Sequence, residues 1–109
     1  MSKKKIMLSS PMKGRQKEEI EKERNEMANI LFDFYGDDKI EIMASIVENH
    51  ENKSELECFS ESIFFMSQAD ILAMGWDWED SRGCNLEYEI AKAYDVPIIH
   101  ISVLEREVK

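Results

Sequence analysis

Glu87 falls just beyond an aromatic loop, in the first turn of a helix expected from about Cys84 to Tyr94. Amides and the macrodipole at a helix start favour an ionised carboxylate. Such a carboxylate at the mouth of a crevice can attack an electrophilic sugar carbon or steady an oxocarbenium-like centre. The same position equally suits an acid that serves only the helix dipole. Glu89, two residues on, faces elsewhere on the helix and reads as solvated.

Neutral donors cluster in the same two loops. Ser9, Ser10, Ser81 and the backbone amides around Gly83 belong to a type of loop that holds phosphate without net positive charge. Ser9 and Ser10 serve equally well as caps of the turn before Pro11 and Met12. Lys13, Arg15 and Arg82 are the nearby cations, and surface solvation is the default for each. Trp76 and Trp78 can stack on a base or form a contact between subunits, the contact being favoured for one of them. Asp70 and Asp80 can orient a ribose hydroxyl or simply cap. Met7, Met12, Met43, Met66 and Met74 occupy core-like positions and need no functional role.

The elements that must position these groups alternate along the chain. Ile6-Met-Leu8 reads as a buried strand that ends in Ser9-Ser10-Pro11. From about Gln16 to Phe34 the spacing is helical, with Ile20, Met27, Leu31 and Phe34 on one face and Glu18 and Lys22 as an i,i+4 pair on another. Gly36 is the expected cap. Ile40, Ile42, Ala44 and Ile46 alternate as a second strand near an edge, and Val47 to Lys53 reads as loop. Ser54-Glu-Leu-Glu57 is a capping box, opening a helix whose stripe is Leu56, Phe59, Ile63 and Met66. Asp70 to Met74 is a third strand, fully buried in character, and opens into Gly75-Trp-Asp-Trp-Glu-Asp-Ser-Arg-Gly83. The third helix turns Leu86, Ile90 and Ala93 inward. Val96 to Ile101 is a fourth strand, and the tail to Lys109 is either a half-turn or an edge strand.

Strand–helix alternation with right-handed crossovers predicts an α/β, flavodoxin- or Rossmann-like three-layer sandwich. Its parallel sheet has four or five strands in the order 2-1-3-4. The chain then reverses direction beside the first strand, and the ligand crevice is expected between the loops after strands one and three.

Composition bounds the rest. With 109 residues, 43% hydrophobic and 34% charged, the chain suits one domain with one core, spanning 1–109. A net charge of −9 disfavours nucleic acid polymers, though not one small nucleotide held by local donors. No apolar run approaches the roughly 20 residues of a membrane span. The basic start is followed by too short an apolar region for a signal peptide, so the expected location is cytoplasmic. Cys58 and Cys84 make no disulfide framework and no C-x-x-C. His50 and His100 stand apart, no metal-ligand spacing is present, and no cofactor is implied. A small sheet with aromatic loops is expected to self-associate.

Ile6-Met-Leu-Ser-Ser-Pro-Met12 resembles the strand-one signature of the nucleoside 2-deoxyribosyltransferase-like superfamily. Ala69-Asp70-Ile-Leu-Ala73 resembles its third strand, and Gly83-Cys-Asn-Leu-Glu87-Tyr-Glu-Ile-Ala91-Lys-Ala93 with Pro97 is similar to its G-T-x-x-E-x-G-x-A-x-A…P segment. The resemblance is closest to a small branch found in phages and bacteria, domain of unknown function 4406. The strings P-M-x-G-R, M-S-x-A-D, G-W…S-R-G-C and E-x-A-K-A-Y of that branch all stand here.

The resemblance implies cleavage of the N-glycosidic bond of deoxynucleosides or their 5′-monophosphates through a covalent glutamate intermediate. Glu87 takes the nucleophile's position and Ser81 that of a phosphate-touching serine, with Asp80 in that slot if one loop insertion is allowed. Four departures stand out. Ser10 replaces a loop glycine, Met7 a tyrosine that contacts the nucleophile, Ser62 an aspartate that helps bind the sugar or protonate the base, and Glu89 a helix glycine. The expectation is a retaining glycosidase or deoxyribosyltransferase with Glu87 catalytic. Ser9, Ser10, Pro11, Met12, Arg15, Asp70, Trp76, Asp80, Ser81 and Gly83 would bind substrate. The competing expectations are a nucleotide-binding module without catalysis, and an interaction protein that uses its tryptophan loop.

Overall fold

A computed structural model describes residues 3–44 and 50–107. Four strands form one parallel sheet: β1 (Lys4–Ser9), β2 (Ile40–Ile42), β3 (Ile71–Met74) and β4 (Ile98–His100). Their order is β2-β1-β3-β4, as the alternation of elements predicts. Four helices connect and follow them: α1 (Lys17–Tyr35), α2 (Glu55–Met66), α3 (Arg82–Ala93) and α4 (Ile101–Glu107). The tail left open by the sequence is thus a helix.

Strand alternation divides the apolar side chains between two layers. Ile6, Leu8 and Ala73 face Met27 and Leu31 of α1 and Leu104 of α4. Met7, Leu72 and Met74 face Met66 of α2 and Cys84 and Ala91 of α3. Ser9 shares the second face with Met7, and this alternation turns its hydroxyl toward α3. β1 and β3 run in register from Ile6↔Ile71 to Ser9↔Met74, so their carboxyl ends finish together.

Local chemistry explains the boundaries. Gly36 ends α1 at φ 99°, where its amide closes on the Phe32 carbonyl. The Ser54–Glu57 capping box forms in full at the start of α2. Gly75 is fixed by proximity rather than by its dihedral angles. Its amide meets the Ser9 carbonyl at 2.8 Å, and a Cβ there would sit 3.0 Å from Met27 Sδ and 3.2 Å from that carbonyl.

The structure corrects several expected faces. Phe34 lies outside the core and stands edge-on to Tyr35. Leu56 is 75% exposed, because it precedes the part of α2 that reaches the sheet. β2 stops at Ile42, with Ala44 exposed beyond it, and Ile46 and the start of the expected loop lie outside the described residues. His50 to Asn52 form a single 3-10 turn. α3 begins at Arg82, and its buried side is Cys84, Glu87 and Ala91, with Ile90 packed against them as expected and Leu86 and Ala93 exposed. A stripe drawn from apolar residues alone is out of phase there because an acid, Glu87, belongs to the inner face.

Candidate functional site

Glu87 is 7% exposed and sits in the second turn of α3, one turn deeper than the sequence suggests. The helix start therefore does little for its charge, since that effect fades within the first turn. Burial dominates and pushes the carboxyl pKa up. Opposing this, Ser9 Oγ donates to Glu87 Oε1 at 2.5 Å, and the nearby Ser62 hydroxyl of α2 and the positive charge of Arg24 on α1 also favour the charged form. Three elements thus converge on one acid at the carboxyl end of β1.

Arg24 is itself buried, at 8% exposure. Burial lowers its pKa, while Glu87, Cys84 and Glu23 hold its charge. Its Nη2 lies 3.9 Å from Met12 Sδ, so the loop after β1 folds over the guanidinium. Beside it lies a cavity of about 210 Å³, lined by Leu8, Arg24, Asn25, Ala28, Ile42, Met43 and Ala44. This cavity opens between the ends of β1 and β2 and α1. The sequence places the crevice on the other side of β1, between the loops after β1 and β3. Size separates it from sites that bury a whole drug-sized ligand, which run to roughly 300–1,000 Å³. It has room for one ring system.

The remaining expected residues divide into those near Glu87 and those away from it. Ser9 bonds Glu87 directly. Ser10 Oγ is buried with no hydrogen-bond partner among the described residues, one position from that contact. Pro11 and Met12 form the half-buried loop above Arg24, and the Met12 carbonyl accepts the Arg15 amide at 3.1 Å. Ser81 caps α3 by accepting the Cys84 amide at 3.3 Å. Burial raises the Cys84 thiol, with Ser81 and Ser9 as its hydroxyl neighbours. At Gly83 a Cβ would meet only Ser81 Oγ, at 3.9 Å, so no crowding demands glycine there.

Other residues are held elsewhere. Asp70 Oδ2 accepts the Lys5 amide at 2.8 Å at the entry of β3, the opposite end of the sheet from Glu87. Asp80 is exposed in the turn before α3. Trp76 donates its indole N–H to Glu105 Oε1 at 3.1 Å and packs on the α1–α4 layer, a structural setting. Trp78 stacks on Tyr88 at 4.8 Å, with His100 at 5.7 Å.

The loop cations are engaged by acids. Arg15 pairs with Glu23 at 2.9 Å. Lys13 and Arg82 both meet Glu55 at the start of α2, the first at 2.6 Å. Glu55 therefore ties together the three segments that frame the carboxyl end of the sheet: the loop after β1, α2 and α3.

Sequence reasoning missed Arg24 as a site residue. An arginine at the i+4 position from Ile20 and three before Met27 lies on the apolar face of α1, and that placement was the available signal. Among the described residues no group of three or more His, Cys, Asp or Glu is placed to hold a metal ion, and no helix is long and apolar enough to cross a membrane.

A parallel sheet in the order β2-β1-β3-β4 with helices on both faces defines a doubly wound α/β class of protein. Within it, the family model described as domain of unknown function (DUF4406) matches residues 4–100, and the chain belongs to that family. No curated protein and no solved structure matches it.

Proposed function

We propose that the protein is an N-glycosidase or deoxyribosyltransferase acting on (deoxy)nucleoside 5′-monophosphates, with Glu87 as nucleophile. The observation that carries the reading is the buried Ser9–Glu87 hydrogen bond at the carboxyl end of β1, with the charge of Arg24 acting on the acid. A carboxylate aligned by a buried hydroxyl and subject to the positive charge of a guanidinium is suited to attack an anomeric carbon and to leave again. The likeness to the nucleoside 2-deoxyribosyltransferase-like superfamily, with Glu87 in its nucleophile position, supports the same assignment.

Ser9 positions the carboxylate, and Ser10, with its unpartnered hydroxyl, is offered to the substrate. The 5′-phosphate meets Ser81, the Gly83 amide, Lys13 and Arg82 once Glu55 gives way. Glu87 is almost closed from solvent, so entry requires that ionic tie to open. The substrate is a small nucleotide and not a nucleic acid polymer. Leu56, Phe64 and Leu86, exposed on α2 and α3, supply an apolar face for self-association.

The test is release of free base from a panel of deoxynucleotides and ribonucleotides, resolved by chromatography, beside Glu87→Gln. Base release lost in the variant is the expected result. An unchanged rate in the variant sinks the nucleophile assignment.

A second reading has its own support. Met7 and Ser62 stand where the resembling enzymes carry a tyrosine and an aspartate, and Asp70 and Asp80 do not stand in for them beside Glu87. This favours a nucleotide-binding module without chemistry. A rise in melting temperature with nucleotide, and no base released over hours, would select it.

A further inference from the structure

We propose that Arg24 takes the place of a general acid, stabilising the departing base as an anion in the cavity between α1 and β2. The inference rests on the glycosidase reading above. Arg24 lines the cavity, is nearly closed from solvent, and lies within electrostatic reach of Glu87. Among the described residues it is the cavity-lining cation whose charge also acts on Glu87. No carboxylic acid among the described residues lines that cavity, and its other side chains are apolar apart from Asn25.

The chemistry balances. The Glu87 carboxylate attacks the anomeric carbon and forms a glycosyl ester. The carbon–nitrogen bond breaks, and its electron pair goes to the base. The guanidinium has donors only and remains protonated, so it holds the negative charge without giving up a proton. Water protonates the base nitrogen as the base leaves. A second water then cleaves the ester, adding hydroxyl to carbon, returning Glu87 as carboxylate and releasing one proton. A fixed cation in a dry site stabilises developing charge far better than one in water. Because Arg24 cannot accept a hydrogen bond, the cavity favours bases that offer a carbonyl oxygen.

The dependence on the leaving group tests this. Thymidine 5′-monophosphate has a poor leaving group, whereas 4-nitrophenyl 2-deoxyriboside 5-phosphate releases an anion that needs no help. Arg24→Met is expected to lower kcat for thymine release by about 100-fold or more, the scale of losing one charge-stabilising donor. Nitrophenolate release should fall by less than about 5-fold, since only leaving-group stabilisation is lost. Arg24→Lys, which keeps the charge and the fold, should show the same selectivity in milder form, and serves if the methionine variant does not fold. An equal fall for both substrates in both variants overturns the proposal, because a structural role, or an effect through Glu87, strikes both. Wild-type protein that releases neither thymine nor nitrophenolate overturns the glycosidase reading and this inference together. Wild-type turnover of both substrates, with a loss on substituting Arg24 that does not depend on the leaving group, overturns the inference alone.

Discussion

Ser9 and Glu87, 78 positions apart, share a buried hydrogen bond of 2.5 Å that joins the centre of the sheet to α3. The contact both aligns the acid and offsets part of the cost of burying it. Removing the hydroxyl with Ser9→Ala leaves a buried acceptor short of a partner. The expected loss is about 1–3 kcal/mol of stability at neutral pH, measured by urea denaturation. The acid limb of any base-release activity should move to higher pH, since a donor that favours the ionised form is gone. A variant as stable as wild type with an unmoved limb would show that Ser9 is not coupled to Glu87.

Glu87 should make stability depend on pH. Burial raises its folded pKa above the unfolded value, against Ser9, Ser62 and Arg24. A group raised in this way contributes its stability fully below the unfolded pKa and loses it as pH rises through the folded one. Glu87→Gln removes that loss. The variant is expected to melt above wild type near neutral pH, with the gap closing as pH falls into the ordinary carboxylate range. Parallel melting curves at every pH would contradict it.

A methyl group at Gly75 would crowd Met27 Sδ at 3.0 Å and the Ser9 carbonyl at 3.2 Å, so its neighbours must give by a few tenths of an ångström. Gly75→Ala should cost about 1–3 kcal/mol through overpacking. It also pushes on the segment that carries Ser9, so base release should fall by more than the folded fraction does. Calorimetry with activity per folded molecule separates the two effects.

Glu55 pairs with Lys13 and Arg82, and on the proposed nucleotide reading it competes with substrate phosphate for them. Exposed pairs of this kind contribute only about 0–1 kcal/mol each, so they yield readily to a dianion. Glu55→Gln is expected to tighten thymidine 5′-monophosphate binding several-fold at low salt, with little change at high salt. Titration calorimetry at two ionic strengths checks this. Weaker binding in the variant would mean that Glu55 holds the loops in the binding shape.

The frame was legible because periodicity is a bulk property. Ile6 to Leu8, the Ser54–Glu57 box and Gly36 each carry a local signal that tertiary packing did not override. The site was harder to read, since its two charged members break the pattern that reveals helical faces. Glu87 and Arg24 sit on inner faces normally reserved for apolar residues, and each is tolerated there because of the other and the nearby hydroxyls. Reading Leu86 as inward followed from treating an acid as outward by default. Asp70 and Trp76 drew attention by type, yet an amide at the strand entry and Glu105 on α4 account for them. The cavity beside β2 depends on where α1 crosses the sheet, which no local spacing encodes.

The sheet order also has a consequence for synthesis. β1 is synthesised before the three strands it joins, and it becomes an interior strand with partners on both sides. Its later partner, β3, ends at Met74, two-thirds of the way along the chain. Until then the Ile6–Ser9 backbone lacks one of its ladders, and a nascent chain carries an open strand edge. Native order is therefore reached late and nearly at once, and Glu87 gains its Ser9 partner only after that closure. A truncated chain ending before β3 would be a substrate for chaperones and proteases rather than a smaller version of the protein.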